Sequence, residues 1–176
     1  MKGWFAVLVV SLSLVAQNPP AKTSDPFAED GRSIDSIIHA MYEVISGPAG
    51  ERNWGRFHSL FAPQAILATV SQKNGQVRQV IMTPDDYVHG AETYFQQHAF
   101  YESEIARHTE QFGNITHVFT TYASRHDLKS EPFERGINSV ELINDGTRWR
   151  ILTIAWDSER ADNPIPAEFL KSAPAP

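Results

Sequence analysis

The chain has 176 residues, 41% of them hydrophobic and 20% charged, with a formal net charge of −6 and no cysteine. That length and apolar fraction fit one domain able to bury a core, and they exclude wholesale disorder, collagen-like repeats and a coiled coil. The lack of cysteine excludes a disulfide scaffold, a thiolate metal site, a cysteine nucleophile and a lipidated N-terminal cysteine. A pI near 5.6 argues against nucleic acid as the main partner, because phosphate binding needs a concentrated basic surface.

Met1-Lys2-Gly3 gives a short positive start, and the apolar run from Trp4 to Val10 continues in weaker form to Ala16. The run is too short to span a bilayer, and Asn18-Pro19-Pro20 blocks its extension as a helix. This pattern predicts a secretory signal peptide over 1–17, cleaved after Ala16 or Gln17, with a secreted or periplasmic address. The membrane would serve for export only; an uncleaved N-terminal anchor is the alternative reading. Residues 18–32 read as a flexible linker, 33–170 as the folded domain, and 171–176 as a disordered tail.

Within the domain, Ile34, Ile37, Ile38, Met41, Tyr42, Val44 and Ile45 recur at helical spacing behind Ser33 as N-cap. Gly47-Pro48 should end that helix through a left-handed cap. Trp54, Phe57, His58, Leu60 and Phe61 predict a second short helix ending before Pro63. Residues 66–70 and 77–82 are short strand candidates around an Asn74-Gly75 turn. Thr83-Pro84-Asp85-Asp86 opens a third helix, with a capping threonine, a first-turn proline and acids at the positive end of the dipole.

From Tyr101 onward the pattern is β, and Gly113-Asn114 marks a tight hairpin. A two-residue loop there places Glu110 opposite His117, His108 opposite Phe119, Ile105 opposite Tyr122, and Glu102 opposite Arg125. Two opposite-charge pairs from one turn assumption favour that register. In it, Glu104 and His108 share one face of the hairpin and Tyr122 lies on the other. A second hairpin turns at 144–147. The order of elements predicts an α+β fold, with about three N-terminal helices gathered against a curved antiparallel sheet.

The segment Leu60-Phe61-Ala62-Pro63-Gln64-Ala65-Ile66-Leu67 and the closing strands resemble the nuclear transport factor 2-like superfamily. Those strands carry Arg135-Gly136-Ile137-Asn138-Ser139-Val140-Glu141-Leu142, Arg148-Trp149-Arg150-Ile151 and Ala155-Trp156. This is the cone-shaped fold shared with SnoaL-like cyclases and ketosteroid isomerase. Phe112–Tyr122 and Asn163-Pro164-Ile165-Pro166 are similar to an uncharacterised bacterial, SnoaL-like branch. The resemblance covers about 34–158 and implies a sheet curled around a pocket, with a homodimer as the family expectation. It does not imply one reaction, because members range from isomerases to non-catalytic binders. Thr69 stands near where the isomerase aspartate base would be, and Ser139 where its protonated acid would be. The isomerase mechanism is therefore not carried over.

Five histidines, His89, His98, His108, His117 and His126, are spaced nine or ten apart, without the ligand grammar of a metal site. No nucleophile elbow or phosphate loop is present. The sequence-level candidates are His108 and Glu104 as an acid–base pair, with Tyr42, Tyr122, Asn138, Ser139 and Trp156 as pocket residues, and Arg125 beside them. No metal and no cofactor are expected. The expected function is an exported small-molecule pocket protein, working as a cofactor-independent acid–base lyase or isomerase. The alternative is a non-catalytic ligand-binding or protein-interaction domain of the same fold.

Overall fold

The computed structural model describes residues 25–73 and 75–171. The expected signal peptide lies outside the described residues, as does the tail from residue 172. Three helices, α1 (Ile34–Ile45), α2 (Trp54–Ser59) and α3 (Pro84–Gln97), pack against six strands. These are β1 (Phe61–Lys73), β2 (Gln76–Met82), β3 (Tyr101–Phe112), β4 (Ile115–Arg125), β5 (Glu134–Asn144) and β6 (Trp149–Ser158). They form one curved, unclosed sheet in the order β2-β1-β6-β5-β4-β3, with β1 and β6 parallel and the other pairs antiparallel. The expected α+β cone is the observed architecture.

The local signals explain the elements. Ser33 and Thr83 each accept from the third helical residue and are answered by its side chain, closing both helix starts. The inner face of the sheet takes Leu67, Ile154, Val140 and Val118 from successive strands, and these pack with Ile37, Ile38 and Met41 of α1 as the core. The helix after Ser33 ends at Ile45 with Ser46 extended, not in a left-handed cap. Gly47 instead exchanges two backbone hydrogen bonds with Phe100, which ties the α1 end to the start of β3.

Three further expectations need correction. Strand β1 begins at Phe61, before Pro63, and a bulge with Gln64 at φ 64° lets it turn onto β6 before regular pairing resumes at Ile66. The described part of the supposed linker is folded. Ala28–Gly31 is a 3-10 turn, Asp30 accepts two hydrogen bonds from Arg56 at 2.7 and 2.9 Å, and Asp25 pairs with buried Arg148.

The third correction matters most. The Gly113-Asn114 turn holds, with Phe112 opposite Ile115, Glu110 opposite His117 and His108 opposite Phe119. A bulge at Ile105 then shifts the register by one, so Glu104 faces Tyr122, Glu102 faces Ser124, and Arg125 faces Tyr101. The expected Ile105–Tyr122 and Glu102–Arg125 pairs do not form. One extra residue sends every earlier side chain of β3 to the opposite face. Glu102 and Glu104 therefore point inward while His108 points outward.

Candidate functional site

Between the helices and the inner sheet face lies a cavity of about 170 Å³. Met41 and Ile45 of α1, Phe57 of α2, Leu67 of β1 and Ile154 and Trp156 of β6 make its apolar wall. Phe57 stacks on Tyr87 of α3 with centroids 5.3 Å apart, and Trp156 meets Tyr87 edge-on at 6.5 Å. Glu102, Tyr122, Glu134 and Asn138 add polar groups to the lining.

The side chain of Glu102 is brought here by the Ile105 bulge. Its Oε2 accepts from the Ser124 hydroxyl at 2.8 Å, the partner set opposite it by the shifted register. Burial pushes the carboxyl pKa up to about 7, the Ser124 hydrogen bond pulls the other way, and the negative charge of Glu134 adds to the rise. No basic side chain lines this cavity among the described residues. Glu102 is therefore poised to exchange a proton near neutral pH.

Glu134 stands exposed at the mouth and accepts from the Tyr122 hydroxyl at 3.1 Å. Burial holds the Tyr122 phenol well above its usual range, so it stays neutral. Gly136 sits opposite Tyr122 and makes room for that ring.

A second polar line runs beneath the cavity. Arg107 holds Glu104 through contacts at 2.9 and 3.1 Å and also reaches Asp35 at 2.8 Å. Thr120 donates its hydroxyl proton to Glu104 at 2.7 Å, so it can only accept from the Tyr42 hydroxyl, 2.9 Å away. Tyr42 in turn accepts from Asn138 Nδ2 at 3.1 Å. The direction of every proton in this chain follows from the Arg107–Glu104 pair. It orients the Asn138 carboxamide in the cavity wall. Replacing Tyr42 with Phe strands the Asn138 donor in a buried site, and the expected loss is about 1–3 kcal/mol by urea unfolding. A loss under roughly 0.5 kcal/mol would show that the line does not hold the core.

The structure thus places Tyr122, Asn138 and Trp156 at the cavity, and Tyr42 one hydrogen bond behind it. It does not bring His108 and Glu104 together. His108 lies on the outer face, where Nε2 donates to the carbonyls of Glu168 and Lys171 at 2.9 and 3.1 Å and the ring meets Phe169. Ser139 is also outward, against His117 Nε2 at 3.1 Å, and Arg125 bonds Ser130 O and Ser103 Oγ. Among the described residues no three His, Cys, Asp or Glu side chains gather as a metal site. Glu102, Glu134 and Tyr87 are cavity residues that the sequence reading missed. No local signal marks the bulge that turns Glu102.

No protein-family model matches the chain, and no curated protein matches its sequence. Solved structures do match. The beta subunit of a proposed aromatic-ring-hydroxylating dioxygenase from Novosphingobium aromaticivorans DSM 12444 aligns at 14% identity and TM-score 0.55, over 76% of this chain and 91% of that one. A protein of unknown function from Mycobacterium tuberculosis aligns at 12% identity and TM-score 0.55, over 77% and 80%. The protein LinA aligns at 8% identity and TM-score 0.53, over 72% and 84%. Likeness at these identities concerns the fold alone.

Proposed function

We propose that this chain, which has the nuclear transport factor 2-like fold, is an exported pocket protein that performs acid–base chemistry on a small organic molecule, with Glu102 moving the proton. The observation that carries this reading is the Glu102 carboxyl set in an aromatic-walled cavity, accepting from the Ser124 hydroxyl, with no basic side chain in the lining among the described residues. A base in such a site is reactive because burial raises its proton affinity and no cation in the lining stabilises its charge. Asn138, held in one orientation through Tyr42, and Tyr122 at the mouth supply the polar contacts that orient a bound molecule. No carboxylate is needed at Thr69, which pairs with Trp156 across β1 and β6.

The test is a carbon-detected NMR titration of the glutamate carboxyls. Glu102 is expected to titrate with a midpoint near 7, and the Glu102→Gln variant to lack that signal. A Glu102 midpoint in the ordinary carboxylate range, about 4–5, would remove the acid–base reading and leave a binding protein. Export is tested separately: the mature chain recovered from its own host should begin near residue 17 or 18.

We also propose self-association through the outer sheet face. The C-terminal turn Ala167–Leu170 covers part of that face by seating Phe169 against Phe119 and His108. Toward the β2 edge, Ile66, Val77 and Ile81 share the same face and are 47%, 68% and 65% exposed. Ile81→Lys should shift the protein from dimer to monomer in sedimentation equilibrium; an unchanged mass would exclude this face.

A further inference from the structure

The cavity's chemistry is one-sided. Its lining carries two carboxylates, Glu102 and Glu134, and no Lys, Arg or His among the described residues. The remaining polar groups are neutral: burial keeps the phenols of Tyr87 and Tyr122 protonated, as it does that of Tyr42 behind them. The charge of Arg52 is felt at Tyr87, but its guanidinium donates to the carbonyls of Ile45, Gly47, Pro48 and Gly50 and is held away from the lining. The Ser124 hydroxyl donates to one oxygen of Glu102. Two carboxylates facing one cavity with no basic side chain in its lining favour a cationic occupant.

The walls suit the same ligand. Phe57, Tyr87 and Trp156 present aromatic surface, and aromatic faces attract cations most strongly where water is excluded. Glu134 at the mouth places a negative charge there, which draws cations inward and repels anions.

We propose that the cavity binds a small organic cation, a ring-bearing amine protonated on nitrogen, with the ammonium group against Glu102 and Glu134 and the ring against Phe57, Tyr87 and Trp156. The proposal rests on the reading that this cavity is the functional site. It also gives a pH signature. A bound ammonium favours ionised Glu102, so binding releases a proton below neutral pH, and affinity rises with pH until the free carboxyl is already ionised. The groups bearing on that titration are Ser124 and Tyr122 from β4, Glu134 from β5, Tyr87 from α3 and Tyr42 from α1.

The test is titration calorimetry of the full mature chain with benzylammonium and with benzyl alcohol, its neutral counterpart of similar shape. Benzylammonium is expected to bind about tenfold more tightly, or better, at pH 7.5. The preference should collapse in Glu102→Gln and weaken several-fold in Glu134→Gln, a surface change at the mouth that leaves the core intact. Equal or tighter binding of the alcohol overturns the cation assignment while leaving the pocket reading in place, because a neutral ring has entered the cavity. Binding of neither probe also overturns the cation assignment, and the NMR midpoint of Glu102 then decides the pocket reading independently.

Discussion

Glu102→Gln is expected to melt within a few degrees of the wild type at pH 5 and well above it at pH 8. The Glu102 carboxyl rises from 4.5 in the unfolded chain to about 7 in the folded protein, chiefly through burial. The folded state therefore holds its proton more tightly than the unfolded one. Stability from this group is fully present below about 4.5, declines as pH rises toward 7, and is flat above. The distance between the two values corresponds to about 3 kcal/mol. Glutamine keeps the shape of the protonated acid and never ionises, so the variant avoids that loss. For a chain of this length the gain equals a melting shift of roughly 6–12 °C. Thermal unfolding by circular dichroism at both pH values checks it. Identical differences at pH 5 and pH 8 would mean that Glu102 is ionised without penalty, and the acid–base role would go with it. A carboxylate that costs stability at working pH is the signature of a group kept for function.

Gly136→Ala should lose about 2–3 kcal/mol and close the cavity mouth. A Cβ at this position would lie 2.5 Å from the Tyr122 hydroxyl and 2.5 Å from the Asp157 carbonyl. Alanine normally gains over glycine inside a strand, so a loss here can only come from overpacking. The Tyr122 ring must swing, which breaks its hydrogen bond to Glu134 and moves it across the opening. Combining the change with Tyr122→Phe should recover part of the loss and not all, because the Asp157 oxygen belongs to the backbone and cannot give way. Urea unfolding of the two single variants and the double variant measures this. A neutral Gly136→Ala would show that the mouth is looser than the packing indicates.

Sequence and structure agree at the two helix starts and the first hairpin, where a local rule decides. Ser33 and Thr83 start helices because a hydroxyl satisfies a free backbone N–H, whatever the rest of the chain does. Gly113-Asn114 turns a two-residue hairpin because that pair accepts the backbone geometry. Strand alternation sets Asn138 and Ser139 on opposite faces; the sheet turns Asn138 inward, so the expectation of a pocket role fails for Ser139. Periodicity of α1 places Tyr42 inward, and resemblance supplies the order in which the elements close into a cone.

The site was less legible because it depends on irregularities. The expected pairing of Glu102 with Arg125 was chemically sensible, and nothing between Tyr101 and Phe112 signals that Ile105 is skipped. A bulge is a compromise between the hairpin's start and the curvature the whole sheet needs, so its position is decided by tertiary packing. That single residue separates Glu104 from His108, makes Glu102 the cavity carboxyl, and leaves His108 to anchor the C-terminal turn. The chain by itself determined the helices, the hairpins and the cone. Only the folded sheet decided which carboxylate faces the cavity, because facing is a property of register, and register here changes where no local interaction demands it.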